Sequence, residues 1–347
     1  MSSDWRRRLK LLGDLAQLPQ SLRGGPGFHG PGSDHFDGQR FFNPGAPTGR
    51  SLLDFLRWQV TRRAAAWPRW RENSRLPAVP ATLAADEMVL TFINHVTFLI
   101  QLPELNLLTD PVFSERASPV QWAGPRRVHA PGLAFEQLPP IDLVFVSHNH
   151  YDHMDLATLR RLGERHAPLF LTGLGNGAFL RQQRITPVVE LDWWEQTSLR
   201  GVQLTFTPTQ HWSSRGPGRR NHTLWGGLQL STPRRSLYFA GDTGYSPWFA
   251  ELRQRCGAPE VALLPIGAYE PRWFMCDQHM NPDDAVRAHL DLGAHLSIGM
   301  HFGCFRLTDE AIDEPGLALQ RALHSRGVDA GAFYLPQPGE TLRWRPP

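Results

Sequence analysis

Residues Val144–His153 read VFVSHNHYDH, and the reading of this stretch decides the fold. An apolar run from Leu143 to Val146 leads straight into His148, His150, Asp152 and His153. Side chains alternate along an extended segment, so His148 and His150 point the same way. Asp152 and His153 come as the chain turns toward Leu156–Leu162, which reads as a helix. One short strand-to-helix turn therefore offers two histidines to one metal and an Asp–His pair to a second. Neutral imidazole and carboxylate suit zinc, and the same donors also accept iron or manganese.

The rest of a two-metal site is then sought downstream. His211 follows the alternating run Val202–Thr207. Asp242 follows the strand-like Leu237–Ala240, and His301 follows Leu296–Met300. Each lies at the C-terminal end of an apolar run, where open α/β sheets place their sites. A lone His after a strand, or an Asp before Thr-Gly, is ordinary loop chemistry. Four ligand-bearing loops in the same structural position point instead to one shared centre.

Further outward, residues 1–86 are rich in Pro, Gly, Arg and Trp and have few periodic elements. They read as an N-terminal extension wrapping a catalytic domain of residues 87–347. Leu52–Arg63 is a helix candidate whose apolar residues are poorly segregated, so packing on the core is expected rather than lying on a membrane. Strands are expected at Val89–Ile93, Thr97–Leu102, Leu105–Leu108, Leu143–Ser147, Leu169–Thr172 and Val188–Leu191. A second set is Val202–Thr207, Leu224–Ser231, Leu237–Ala240, Val261–Pro265 and Leu296–Met300. Helices are expected at Leu156–Arg165, Gly177–Arg184, Pro282–Leu292 and Ala311–Ser325. Two sheets flanked by helices fit an α/β, four-layer αββα sandwich. The glycines of Gly173–Gly177 read as turn chemistry rather than a phosphate loop.

The motif HNHYDH, with His211, Asp242 and His301 in that order, resembles the metallo-β-lactamase fold superfamily. It is most similar to the N-acylphosphatidylethanolamine-hydrolysing phospholipase D-like branch and its bacterial relatives. The supporting segments are LLTDPVFSERASP (Leu107–Pro119), TPTQHWSSR (Thr207–Arg215), LPIGAYEPRWFM (Leu264–Met275), QHMNPDDAV (Gln278–Val286) and HFDGQRFFNP (His35–Pro44). The resemblance implies that His148, His150 and His211 hold one zinc ion, that Asp152, His153 and His301 hold a second, and that Asp242 bridges them. Asp152 would also orient a shared hydroxide, which two such metals make available at neutral pH.

Other residues fall around this centre. Asp110, before Pro111 at a strand end, is placed to hold the Nδ1 proton of a ligand histidine. His95 lies at a predicted hairpin that approaches the site. His279 precedes a helix starting at Pro282 with Asn281 as N-cap, and is placed to protonate a leaving group or bind a phosphate oxygen. Tyr269, Glu270 and Arg272 form a polar loop suited to a head group, and Trp212 and Trp225 are candidates to line an apolar cleft.

Composition sets the outer bounds. The chain has 347 residues, is 41% hydrophobic and carries a formal net charge of +3. The clusters Arg6–Arg8, Arg62–Arg63 and Arg219–Arg220 read as solvated faces, and no nucleic-acid-binding signature accompanies them. The basic balance suits an anionic substrate or peripheral membrane contact. Leu9–Leu18 is broken by polar residues and makes no signal-peptide core, so a cytoplasmic location is expected. The three cysteines, Cys256, Cys276 and Cys304, are expected to be reduced. These readings converge on a dinuclear zinc hydrolase, most simply a phosphodiesterase acting on a small-molecule or phospholipid substrate. The alternatives are a lactone, amide or ester hydrolase, and a non-catalytic metal-binding scaffold.

Overall fold

In the computed structural model, which describes residues 24–46, 50–216 and 218–345, alternation along β4 (Leu143–Val146) sorts side chains into layers. Leu143 and Phe145 join the core shared by both sheets, with Phe92, Phe206 and Phe239. Val144 and Val146 face the other way, into a cluster with Leu159, Leu162 and Phe170. Both faces of β4 are thus covered, as its unbroken apolar run requires. Burying each such side chain contributes about 1.5–3 kcal/mol.

The first sheet combines β1 (Met88–Asn94), β2 (Thr97–Gln101), β3 (Asn106–Thr109), β4, β5 (Leu169–Gly173) and β6 (Val188–Leu191). β14 (Thr341–Trp344) closes its edge by pairing antiparallel with β1. The second sheet contains β7 (Gln196–Leu199), β8 (Val202–Thr207), β9 (Gly227–Ser231), β10 (Ser236–Phe239), β11 (Val261–Pro265), β12 (Leu296–Met300) and β13 (Phe333–Tyr334). Among the described residues these make two seven-stranded sheets, ordered β14-β1-β2-β3-β4-β5-β6 and β13-β12-β11-β10-β9-β8-β7. Each is antiparallel at one end and parallel at the other. β3 to β6 are parallel, as are β10 to β13. Helices flank both, which is the expected αββα sandwich.

Parallel strands in register end together. Thr109 pairs with Phe145 and Met300 with Pro265, so the residues that follow those strands emerge on one rim. Helix α2 (Leu156–His166) starts at that rim, and its N-cap Asp155 accepts hydrogen bonds from the Ala157 and Thr158 backbone. The same carboxylate accepts from the backbone N–H groups of Phe113 and Ser114, tying the segment after β3 to the turn after β4.

Several elements depart from the expectations. β7, β13 and β14 were not foreseen, nor were the helices Trp248–Cys256 and Arg272–Met275. β7 and β14 have no buried run, and an edge strand with one wet face lacks the apolar signature. The Gly173–Gly177 turn leads into α3 (Gly177–Gln182), whose first N–H donates to Glu190 at 2.8 Å, so this helix start is already capped. Arg6–Arg8 and Leu9–Leu18 lie outside the described residues. Among the described residues no helix is long and apolar enough to cross a membrane.

The described part of the leading segment meets the domain at several places, two of them aromatic. Phe36 and Phe41 are buried in the main cluster with ring centroids 4.6 Å apart. Helix α1 (Leu52–Thr61) starts with a Ser51/Asp54 capping box, and its Trp58 packs on Phe274 at 5.0 Å and donates to Asp309 at 2.8 Å. Among the described side chains of α1, the expectation that it packs on the core holds for Trp58. Leu53 is 77% and Val60 86% exposed, and Phe55 and Leu56 are exposed too.

If Phe36 is integral to the shared core, Phe36→Ala should lower unfolding stability by about 3–5 kcal/mol, the usual cost of emptying a buried aromatic site. A shift of the urea midpoint with unchanged m-value would establish this, and a loss below about 1 kcal/mol would show that the segment merely rests on the domain.

Candidate metal centre

The rim where the strands end gathers side chains from both sheets. His148, His150, Asp152 and His153 come from the turn after β4, His211 from beyond β8, Asp242 from beyond β10 and His301 from the end of β12. Ligand atoms of His148, His150, His211 and Asp242 all lie within 4.8 Å of one another. Those of His95, Asp152, His153 and His301 do the same, as do those of Asp242, His279 and His301. Asp242 stands between the sets. Its Oδ2 is 3.6 Å from His211 Nε2 and 3.2 Å from His153 Nε2, while its Oδ1 is 3.2 Å from His301 Nε2.

Partners on the far side of the His153, His148 and His211 rings orient them. His153 Nδ1 donates to Asp110 Oδ2 at 2.7 Å, which turns Nε2 toward Asp242. Ser147 donates its N–H and its hydroxyl to the same carboxylate, at 2.7 and 2.6 Å. Because that hydroxyl proton is committed, Ser147 Oγ accepts from His148 Nδ1 at 2.9 Å. His211 Nδ1 donates to the Gln278 carbonyl at 3.0 Å. His148 Nε2 and His211 Nε2 therefore present lone pairs, and they converge on His150 Nδ1 at 2.8 and 3.3 Å. Such orientation of a ligand ring from behind is what metal sites require.

Electrostatics favour cations here. Burial drives His148 and His211 well below the ordinary imidazole range and His150 down to about 4, so all three are neutral at pH 7, the form that ligates metal. Burial favours the neutral acid at Asp152 and Asp242, yet His153 and the neighbouring imidazoles hold both carboxyls well below their usual range. Burial likewise opposes charge on His301, but Asp242 and Asp152 carry it up to about 9. Buried atoms without a hydrogen-bond partner include His150 Nε2, His153 Nε2, His301 Nε2 and Asp242 Oδ1. Two buried carboxylates amid unsatisfied nitrogens form a donor set that divalent cations fit.

Three of the nine non-glycine residues with left-handed backbone among the described residues lie at this place. His95, Asp110 and His301 hold φ of 46°, 34° and 61°, a left-handed region that costs non-glycine residues about 1–3 kcal/mol each. The loops are pinned regardless: His301 N–H donates to the His95 carbonyl at 2.7 Å. A Cβ on Gly267 would lie 2.1 Å from the His301 carbonyl oxygen, so only glycine fits beneath that loop.

A cavity of about 550 Å³ opens over the cluster, with His150, Asp152, Asp242 and His279 on its lining. His279 Nδ1 is 4.0 Å from Asp242 Oδ2. His95 is fully buried, with Nε2 3.1 Å from Asp152 Oδ2, and burial together with His301 lowers it to about 3. Three expectations need correction. Tyr269 and Glu270 do not line this cavity; they face a separate cleft with Glu310 and Arg321. Arg272 acts at one remove, donating to the His279 carbonyl at 2.9 Å and to Asp284 at 2.7 Å. Trp225 is wholly buried and donates to the Thr209 carbonyl, whereas Trp212 does line the cavity and meets His150 edge to face, with ring centroids 4.4 Å apart.

Sequence reasoning did not find the opposite wall. Phe55 and Trp58 from α1, Phe274, Met275 and Leu307 make it apolar, and Arg50 and Arg220 stand on it. Arg215 was also passed over. It is buried over the Tyr151 ring and donates to the Asn149 and Met154 carbonyls at 3.2 and 2.8 Å, bracketing the ligand turn. In the sequence Arg215 stood only as the end of the TPTQHWSSR segment, with nothing to say what it contacts.

Comparison with known proteins places this geometry. Residues 105–302 match the beta-lactamase superfamily domain. An uncharacterised protein of Mycobacterium tuberculosis is 37% identical over 307 residues, 84% of this chain and 78% of its own. The N-acyl-phosphatidylethanolamine-hydrolyzing phospholipase D 1 of Caenorhabditis elegans is 36% identical over 248 residues, 68% of this chain and 70% of its own. The structure of an isothiocyanate hydrolase from Delia radicum gut bacteria shares the fold, with a TM-score of 0.61 at 21% identity over 74% of this chain and 99% of that one.

Two substitutions test the centre. Asp242→Asn keeps the volume and removes the charge between the two sets, so metal analysis should fall from two ions per chain toward one or none while the fold persists. Asp110→Ala frees His153 Nδ1 and should weaken metal affinity about 10–100-fold in a chelator competition. Unchanged stoichiometry and affinity in both variants would remove these residues from the centre.

Proposed function

The chain belongs to the metallo-β-lactamase superfamily of metal-dependent hydrolases, and from that premise we propose that it is a dinuclear zinc phosphodiesterase acting on a phospholipid. The observation that carries this reading is the lining of the cavity. Carboxylates and imidazoles form its floor, Phe55, Trp58, Phe274 and Met275 its apolar wall, and Arg220 adds positive charge. A phosphodiester with acyl chains divides in the same way, into an anionic reacting group and an apolar body. The similarity to the Caenorhabditis elegans phospholipase D supports that substrate class.

Under this reading His148, His150 and His211 hold one ion, Asp152, His153 and His301 the other, and Asp242 joins them. When bound, a pair of zinc ions supplies Lewis acidity and a water acidified toward neutral pH. The protein supplies the rest. Asp110 and Ser147 fix the rings of His153 and His148, and His95 holds Asp152 in place from behind. His279, steadied through its carbonyl by Arg272, reaches the cavity beside Asp242, where it can hydrogen-bond a phosphoryl oxygen or protonate the leaving group. The apolar wall excludes water from the reacting atoms.

The leading segment gains a role as well. Residues 1–86 act as an extension of the catalytic domain of residues 87–347, with α1 forming one lip of the cavity. Its exposed Leu53, Phe55, Leu56 and Val60, with Arg57 and Arg63 nearby in sequence, suit peripheral contact with an anionic lipid surface.

Metal-loaded protein should hydrolyse bis(p-nitrophenyl) phosphate and a phospholipid in mixed micelles, and should turn over a simple lactone poorly. His279→Ala should lower kcat on the diester about 10²–10⁴-fold with two ions still bound per chain. A preparation that is fully loaded, cleaves the lactone and leaves every phosphodiester intact would overturn the proposal.

A further inference from the structure

Arg50 and Arg220, the two arginines on the cavity wall, differ in one respect. Arg50 is neutralised: it lies 2.7 Å from Asp277 and also donates to the Phe274 carbonyl. Among the described residues Arg220 has no ion pair and no hydrogen bond. Its guanidinium lies over the Trp212 ring, 4.5 Å from the centroid, and Trp212 in turn meets His150 edge to face. Arg220 also lines a second, adjoining cavity with Arg40 and Asn43, so it stands on the wall between the two.

Stacking uses the face of a guanidinium and leaves its N–H edges free, in the planar fork that matches two oxygens of a phosphate. A half-buried cation without a counter-ion is unfavourable. Burial and the neighbouring Arg40 both lower the Arg220 pKa, and no carboxylate offsets them. An anion in the cavity would relieve that cost. The ring over which the cation sits is itself in contact with a metal-site histidine, so the anion would lie beside the reacting centre.

We propose that Arg220 reads the negative charge of the substrate's phosphodiester and so selects anionic over neutral esters. The inference rests on the phosphodiesterase reading above and assigns part of its specificity to one residue. It also revises the expectation that Arg219–Arg220 is only a solvated face.

The test compares metal-loaded wild type with Arg220→Gln and Arg220→Lys, each checked for two ions per chain and an unchanged melting temperature. KM and kcat are measured on bis(p-nitrophenyl) phosphate and p-nitrophenyl butyrate, and the affinity for inorganic phosphate by calorimetry. Arg220→Gln should raise KM for the diester about tenfold and lower the diester-to-ester preference about tenfold, the usual size of one charged hydrogen bond. Arg220→Lys, which keeps the charge and loses the fork, should fall between. Unchanged diester KM in Arg220→Gln overturns the proposal, and does so even if phosphate binding weakens, since that would make Arg220 a site for free phosphate. If the wild type cleaves no phosphodiester, the functional reading fails. Calorimetry then decides separately: phosphate affinity that drops in Arg220→Gln supports an anion site at Arg220, and affinity that does not drop overturns it.

Discussion

Everything at the rim of this protein turns on the burial of the Asp242 carboxylate. A charge taken out of water costs several kcal/mol unless partners repay it. Here the partners come from both sheets, His153 from the first and His211 and His301 from the second. No single loop could supply them, so the two sheets must meet with their strand ends aligned. Backbone hydrogen bonds hold that meeting: Gly226 N–H to the Ser147 carbonyl at 3.1 Å and His301 N–H to the His95 carbonyl at 2.7 Å. This cluster of imidazoles and carboxylates is therefore a junction in the fold.

The supporting residues act by taking freedom away. Asp110 and Ser147 leave His153 and His148 with one useful nitrogen each. Asp155 anchors the following helix to the β3 exit, and Arg215 brackets the ligand turn from below. Left-handed backbone at His95, Asp110 and His301 is tolerated because these bonds over-determine it. A fixed constellation of this sort binds cations without reorganising, which is what electrostatic catalysis needs.

The cavity, by contrast, is assembled from places far apart in the chain. Arg50, Phe55 and Trp58 precede the first strand, Trp212 and Arg220 follow β8, and Phe274 and Met275 follow β11. One half of this lining is built to exclude water and the other carries charge, so shape and polarity together narrow what can reach the rim.

Much of the rim was legible in the sequence because its signals are local. A strand needs an apolar run and a turn needs polar residues after it, so VFVSHNHYDH announces both in ten residues. Val202–Thr207, Val261–Pro265, Leu296–Met300 and Pro282–Leu292 have the bounds their patterns indicate. The edge strands β7 and β14 escaped notice because half-wet strands have no apolar run. Tyr269, Glu270 and Trp225 were misplaced for a different reason: sequence says that a loop is polar or aromatic, but not which way it faces. The sequence by itself determined the class of fold and that histidines and aspartates follow the strand ends, through patterns that span a few residues. Only the tertiary structure decided that Asp242 stands between two sets of imidazoles, that α1 supplies a lip of the cavity and that Arg220 is left without a counter-ion. Those facts depend on packing between segments tens to hundreds of residues apart, and no local pattern encodes the direction in which a side chain finally points.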